Sequence, residues 1–532
     1  MTSERTGARR WLGLVMISLG VAMIIVDATI VNVAVPSIIK DIGATSSDAQ
    51  WIQESYTLVF AALLLVAGRT ADRTGRRRLF LAGIVVFTLA SVWCALAPTP
   101  PLLIAGRLVQ GVGGAMILPT SLSLLNASFT GRDRGIAFAV WGSTIGGAAA
   151  LGPLLGGWLT TDLSWRWAFG INVPLGALVF AGTALLVAES REPQGRRGND
   201  WAGAVISAVT LTGVVFGLIE GRNYGWFERT GPVDIAGVSW TMRLSPVPVA
   251  FAVAVIGAVA FVIVERRRNA AGKPVLLDLT LFAIPSFRNG NLVAGVVSLG
   301  EFGLLFSLPL WLQNVRGYSA FETGLALVPL AAGSFLASGL AAPLTAARGA
   351  AFAVRLGILL ELLGVAGIGI VAAPDTPWWA FTPMLFVYGV GVGLATAQIT
   401  GVVLADVPVA MSGQASGTQS TTRQLGSALG IAVLGSVLFG TLAGHLGAAL
   451  TDRDVPEPQK SAVVTAVKKS AGAAIPGLAA NPATAPLADD ARQAFSTATR
   501  WTALTAAGFL LLGLVASTRL TPARRQESSA GL

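Results

Sequence analysis

The sequence predicts an all-α integral membrane protein of fourteen spans: two six-helix bundles with two further helices inserted between them. Three observations carry this. Of 532 residues only 12% are charged, about half the roughly 25% of a soluble globular chain. Hydrophobic side chains make up 53%, with 63 glycines besides, more apolar surface than one water-soluble core can hide. Residues 79–106 and 376–405 contain no charge at all, and each run exceeds the ~20 apolar residues needed to cross a bilayer. A soluble enzyme, a nucleic-acid binder and a disordered chain are thereby excluded.

Cutting the chain at charges and at Gly/Pro clusters places the helices, in order, at 11–36, 49–67, 79–97, 101–125, 136–159, 167–189, 201–219, 247–264, 289–312, 320–344, 353–373, 378–404, 413–443 and 500–518. The first is too long for a cleavable signal core and has no cleavage motif after it, so it counts as a span. The expected divisions are an N-terminal bundle over 1–190, the inserted pair with its linkers over 191–287, a C-terminal bundle over 288–519, and a tail over 520–532. The Ala/Pro-rich segment 444–499 is expected to be an external loop, either a partly helical cap or a linker.

Lys and Arg then number 24 on one side, while the short loops of the other side hold only Lys40, Arg166 and Arg316. The positive-inside rule makes the rich side, with both termini, cytoplasmic. The basic clusters at Arg69 to Arg78, Arg196 and Arg197, and Arg266 to Arg268 flank apolar runs and need no nucleic-acid partner. Lysine is scarce, 5 against 32 Arg, as in GC-rich bacterial genomes, which points to a bacterial plasma membrane. The single Cys94 can form no internal disulfide, and the single His445 cannot build a metal site alone.

The halves repeat. Asp27 precedes Pro36 in the first helix and Glu301 precedes Pro309 in the ninth; each half opens with an outward-running helix carrying one intramembrane carboxylate. An even insertion keeps both halves in one orientation, so the repeat is parallel.

A charged side chain at mid-helix costs about 2.5–3.5 kcal/mol on insertion scales and persists mainly where it faces a pathway or a partner. Asp27, Arg107, Glu301 and Glu361 are the clearest cases, and helix counting puts Glu54 in the same outer half of the first bundle as Asp27 and Arg107. In the fifth helix Gly142, Gly146, Gly152, Pro153, Gly156 and Gly157 combine small residues at four-residue spacing with a helix-bending proline. The inner loop Gly68 to Arg78 holds Asp72 among arginines, with Gly75 for a tight turn. The expected partner of Asp72 is a helix N-terminus, and the thirteenth helix, starting near Ser412 and Gly413, offers one.

These motifs resemble the major facilitator superfamily, and within it the fourteen-helix drug/proton antiporters of the EmrB/QacA type. Asp27 to Pro36 looks like that family's first-helix motif, Gly68 to Arg78 the loop motif, Gly106-Arg107-Leu-Val-Gln110-Gly111 the fourth-helix motif, Gly142 to Gly157 the antiporter motif, and Trp165 to Gly176 the segment entering helix six. The resemblance implies alternating access driven by the proton motive force, with no cofactor. Asp27, Glu54, Arg107 and Glu301 become the candidate coupling and substrate residues, Glu301 on the repeat argument rather than a motif. Gly68, Asp72, Arg73, Gly75 and Arg76 become a cytoplasmic latch, and Gly152 with Pro153 the antiport-type bend. The expected partners are protons, the bilayer and small amphipathic, cationic or aromatic substrates, handled by a monomer. A dedicated exporter of one endogenous product would use the same fold. A membrane-embedded enzyme is the remote alternative, and no GxxxxGK[ST] motif is present for ATP.

Overall fold

The computed structural model describes residues 2–44, 46–191, 200–231, 233–235 and 238–520. Arg196, Arg197 and residues 521–532 of the expected tail lie outside them, and of Gly146 and Pro153 only the helical backbone is described. The first bundle comprises α1 (Thr2–Ile42), α2 (Ser46–Thr74), α3 (Arg76–Leu96), α4 (Pro100–Ser128), α5 (Gly131–Trp158) and a broken last span, α6 (Trp167–Gly170) followed by α7 (Asn172–Leu186). The inserted pair is α8 (Trp201–Tyr224) and α9 (Pro246–Ala270), joined through the antiparallel strands β1 (Val233–Ile235) and β2 (Val238–Trp240). The second bundle comprises α10 (Pro285–Asn314), α11 (Ala320–Arg348), α12 (Ala350–Val371), α13 (Trp378–Val403), α14 (Ser412–Asp452) and α17 (Ala485–Ser517), with α15 (Glu457–Lys469) and α16 (Ile475–Ala480) before the last.

Among the described residues thirteen helices are long and apolar enough to cross a membrane. Helix α5 is not one of them, yet its 28 residues measure about 42 Å at 1.5 Å per residue, the length of a span. Most helices outrun their sequence-based limits because charged and polar end turns continue the backbone ladder beyond the apolar stretch.

The segment expected as a loop over 444–499 is largely helical. Helix α14 runs on to Asp452 and α17 starts at Ala485, so the connection is shorter and carries two helices of its own. Val463, Val467, Ile475 and Leu487 are buried beneath it. The sixth span is broken near Ile171, and a π-helical turn over Leu159–Leu163 follows α5.

The parallel repeat is visible in the backbone. Helices α2 and α3 meet at Gly75 (φ +113°), and α11 and α12 meet at Gly349 (φ +86°), left-handed conformations that favour glycine. Within the first bundle α1 packs on α5; in the second, α10 packs on α14. Both contacts depend on missing side chains: a Cβ on Gly152 would fall 1.7 Å from Thr29 Oγ1, and one on Gly430 would fall 2.2 Å from the Leu299 carbonyl oxygen. Lipid offers helices no hydrophobic reason to associate, so such small-residue contacts carry the packing.

The bundles face each other through α2 with α14 and through α5 with α11 and α13. Helix α8 lies over the α2/α14 seam. Helix α9 packs against α8 and turns Val255, Ile256 and Val259 outward, as a lipid-facing helix does.

Candidate functional site

Glycines in α4 bring its neighbours close and so bury Arg107. A Cβ at Gly111 would lie 2.7 Å from the Tyr56 carbonyl oxygen on α2, and one at Gly113 would lie 2.6 Å from the Phe87 nitrogen on α3. Arg107 is 1% exposed and Asp27 is fully buried. Arg107 Nη1 donates to Asp27 Oδ2 at 2.6 Å and to Gln110 Oε1 at 2.6 Å, while its Nε donates to the Ile52 carbonyl at 3.0 Å. Its guanidinium sits over the Tyr56 ring, 4.4 Å from the centroid.

The other carboxylate oxygen of Asp27 accepts two amide donors, Gln110 Nε2 and Asn172 Nδ2, each at 2.7 Å. Both amides also donate to Ser91 Oγ, at 2.9 and 3.1 Å, and Ser91 donates onward to the Phe87 carbonyl. Asp27 is therefore held by one cation and two amides drawn from α4 and α7. Buried polar groups cost least when every partner is supplied, and around Asp27 this condition is met.

Beside this network, between the bundles, lies a cavity of about 590 Å³. Ala28, Glu54, Tyr56 and Arg107 line one side; Phe302, Phe306, Gln419 and Arg423 line the other, and α8 adds Leu218 and Ile219. Asp27 does not line the cavity, whereas its partner Arg107 does. Glu54 is half-buried on the wall. Across the cavity Glu301 is 4% exposed, with Arg423 Nη2 3.8 Å from its Oε2. Each half thus pairs its first-helix carboxylate with an arginine.

The end of the molecule that gathers Arg69 to Arg78 is closed. Asp72 Oδ1 accepts from the Gly413 amide at 2.8 Å and Oδ2 from the Gln414 amide at 2.9 Å, the first turn of α14. Arg76 donates to Asp72 at 2.7 Å and to the Val409 carbonyl at 2.6 Å, so it too ties the halves. Gly68 is required here because a Cβ would fall 2.3 Å from the Gly413 carbonyl oxygen. Arg73 lies in the last turn of α2. Asn126 donates to Ser412 at 2.6 Å in the same closure. Glu189 accepts from the Arg77 and Arg78 amides at 3.0 and 3.1 Å, an anion at the N-terminus of α3.

At the opposite end α5 meets α11. Gly157 packs on Phe321, and Leu154 fills the space over Gly324. Gly142, Gly152 and Gly156 are buried in α5. Asp41, near the end of α1, accepts from Trp165 at 3.0 Å and from Arg166 at 2.5 Å. Those hydrogen bonds, Arg166's above all, hold its carboxyl below the usual carboxylate range.

The structure therefore brings Asp27 and Arg107 into contact, places Glu54 on the cavity wall beside them, and sets Glu301 across the cavity. Sequence reasoning did not single out Gln110, Asn172, Ser91, Glu189 or Arg423. Gln110 and Asn172 stood inside quoted motifs, and a polar amide one turn from a buried arginine was the available signal.

This geometry can be set against known proteins. The model of the Major Facilitator Superfamily matches residues 17–431. The chain belongs to that superfamily. Within it, the chain is 34% identical over 456 residues to a probable actinorhodin transporter of Streptomyces coelicolor, covering 84% of this chain and 75% of that one. It is also 34% identical over 457 residues to the multidrug resistance protein Stp of Mycobacterium tuberculosis, covering 86% and 81%. A solved structure, the human organic anion transporter MFSD10, superposes with a TM-score of 0.60 at 14% identity, over 96% of this chain and 99% of that one. That likeness is one of fold. The cavity lies between the two bundles, with α8 forming part of its wall.

Proposed function

We propose that this chain is a proton-coupled drug exporter that works by alternating access in a bacterial plasma membrane, with the Asp72 end cytoplasmic. Relatives named as a probable antibiotic transporter and a multidrug resistance protein support export of drugs. The observation that carries the coupling is the buried Asp27 and Arg107 pair, whose arginine lines a drug-sized cavity. A cavity of about 590 Å³ lies within the ~300–1,000 Å³ of small-molecule sites. Its Tyr56, Phe60, Trp141, Phe302 and Phe306 suit flat amphipathic compounds.

Protonation of Asp27 would leave the positive charge of Arg107 uncompensated at the cavity wall, where it repels a cationic substrate, and a bound cation would in turn favour the ionised Asp27. Proton and substrate thus exclude each other through one ion pair, which is what antiport requires. Asp72 and the α14 N-terminus would hold the cytoplasmic end shut while the cavity serves the outside. Cells expressing the chain should accumulate less of a fluorescent lipophilic cation, and a protonophore should abolish the difference. Efflux undiminished by the protonophore would refute proton coupling.

Glu301 supplies the second coupling acid in this reading. Exchanging one proton for a monovalent cation moves no net charge, whereas two protons add the membrane potential, about 2.3 kcal/mol per charge at 100 mV, or roughly fifty-fold in accumulation. Glu301→Gln should lose cation export driven by a potassium-diffusion potential in proteoliposomes while retaining export driven by a pH gradient. Undiminished voltage-driven export would return Glu301 to a structural role.

A further inference from the structure

Glu361 is the residue of the second bundle that the exchange described above does not use. It lies midway along α12 and is fully buried. Among the described residues neither carboxyl oxygen has a hydrogen-bond partner. Its stem is pinned by α13, where a Cβ on Gly391 would fall 2.7 Å from Glu361 Cγ. The charged and titratable groups that act on it come from three other helices: Glu301 of α10, Arg423 of α14 and Tyr388 of α13. Tyr388, also fully buried, donates its hydroxyl to the Glu301 backbone carbonyl at 3.1 Å rather than to either carboxyl. The remaining arginines of this region are engaged elsewhere. Arg355 donates to the Ser517 and Thr518 carbonyls, and Arg500 to the Gly369 and Ile370 carbonyls, all at helix ends.

Charge counting separates the two bundles. In the first, one carboxylate faces one guanidinium, and the pair is neutral as it stands. In the second, two carboxyls share Arg423, so two ionised acids would leave one uncompensated negative charge in a buried site. An ionised carboxylate with neither oxygen hydrogen-bonded is far costlier to bury than the neutral acid, and two carboxyls sharing one site do not both ionise readily. Arg423 lies against Glu301 and not against Glu361, so the uncompensated member is Glu361.

We propose that Glu361 is a proton-binding residue, and that in the conformation closed at Asp72 the stored proton resides on Glu361 rather than on Asp27. Transfer conserves charge within the cluster: when the conformation changes so that the two carboxyls meet, the Glu361 acid gives its proton to the Glu301 carboxylate, and Glu361 becomes the anion toward which Arg423 turns. The inference deepens the proton-coupled reading, on which its functional meaning rests, but it is tested without transport.

Infrared difference spectroscopy of the purified full-length protein in lipid, exchanged between light and heavy water, reads buried protonated carboxyls directly. The wild type should show carboxylic-acid carbonyl bands that shift on deuteration; Glu361→Gln should lose one component of them and Asp27→Asn should keep all. Gln and Leu both mimic a neutral side chain, so Glu361→Gln and Glu361→Leu should fold with melting temperatures near wild type. Carboxylic-acid bands unchanged by Glu361→Gln, or a component lost in Asp27→Asn, overturn the assignment. Unfolding of both the Gln and Leu variants overturns it as well, because it would show that the fold needs an ionised carboxylate at this position.

Discussion

Asp27→Asn should yield a protein that inserts and folds but no longer couples drug movement to protons. Three donors converge on Asp27, and the substitution keeps the size of the side chain while changing its charge. An Asn oxygen can still accept from Gln110 and Asn172, but its amide would then face the Arg107 guanidinium, donor against donor. Breaking a buried ion pair by removing one partner costs about 3–5 kcal/mol. Part of that is offset by the Ile52 carbonyl and the Tyr56 ring, which continue to hold Arg107. The expected signature is a lowered melting temperature together with drug exchange that no longer varies with pH. Asp27→Glu should recover part of the coupling, since it restores an ionisable group within reach of Arg107. Transport by the Asn variant with an unchanged pH dependence would show that Asp27 is only a packing element.

Asp72→Asn should unlatch the basic end. Hydrogen bonds to charged groups contribute about 1.5–3 kcal/mol each, and Asp72 accepts two from the first turn of α14 as well as those of Arg76. Losing about 2–3 kcal/mol of that preference shifts the population toward the open form roughly 30- to 140-fold. Spin labels at the exposed positions Thr74 and Val409 should report a longer distance between α2 and the start of α14. Drug affinity should change little, because the cavity lies away from this end. Gly413→Val should act in the same direction for a different reason: a Cβ there would fall 2.2 Å from the Gly68 carbonyl oxygen, and backbone cannot give way. Unchanged label distances in both variants would remove the latch from the mechanism.

How much of this was legible follows from what kind of signal each feature leaves. The spans declared themselves through charge-free runs, and the parallel repeat through the acids of α1 and α10. The placing of Asp72 at the N-terminus of α14 followed from an acid standing alone among arginines, an arrangement that membrane topology does not require. Gln110, Asn172 and Ser91 left no such signal, because neutral polar residues are common in membrane helices and only contact shows which of them meet. Arg423 lies about 16 Å along α14 from Ser412 at 1.5 Å per residue, yet it reads in the sequence as one more basic residue near the inner side. The repeat placed the acid of each half but not its arginine, which sits on α4 in one bundle and on α14 in the other. A partly helical cap was one of the two forms expected over 444–499, but the positions of its helices and the break near Ile171 were hidden for another reason: short helices between spans carry neither a long apolar run nor a strong cap.

The central claim is that a buried acid beside the cavity exchanges a proton for a drug, and proton countertransport tests it most directly. Purified protein is reconstituted into sealed vesicles that hold a pH-sensitive dye, and a fluorescent lipophilic cation is supplied with no gradient other than its own. Proton movement opposite to the drug and proportional to it is expected in the wild type, and none with Asp27→Asn. Drug crossing at the same rate in both proteins, with no movement of protons in either, would contradict it.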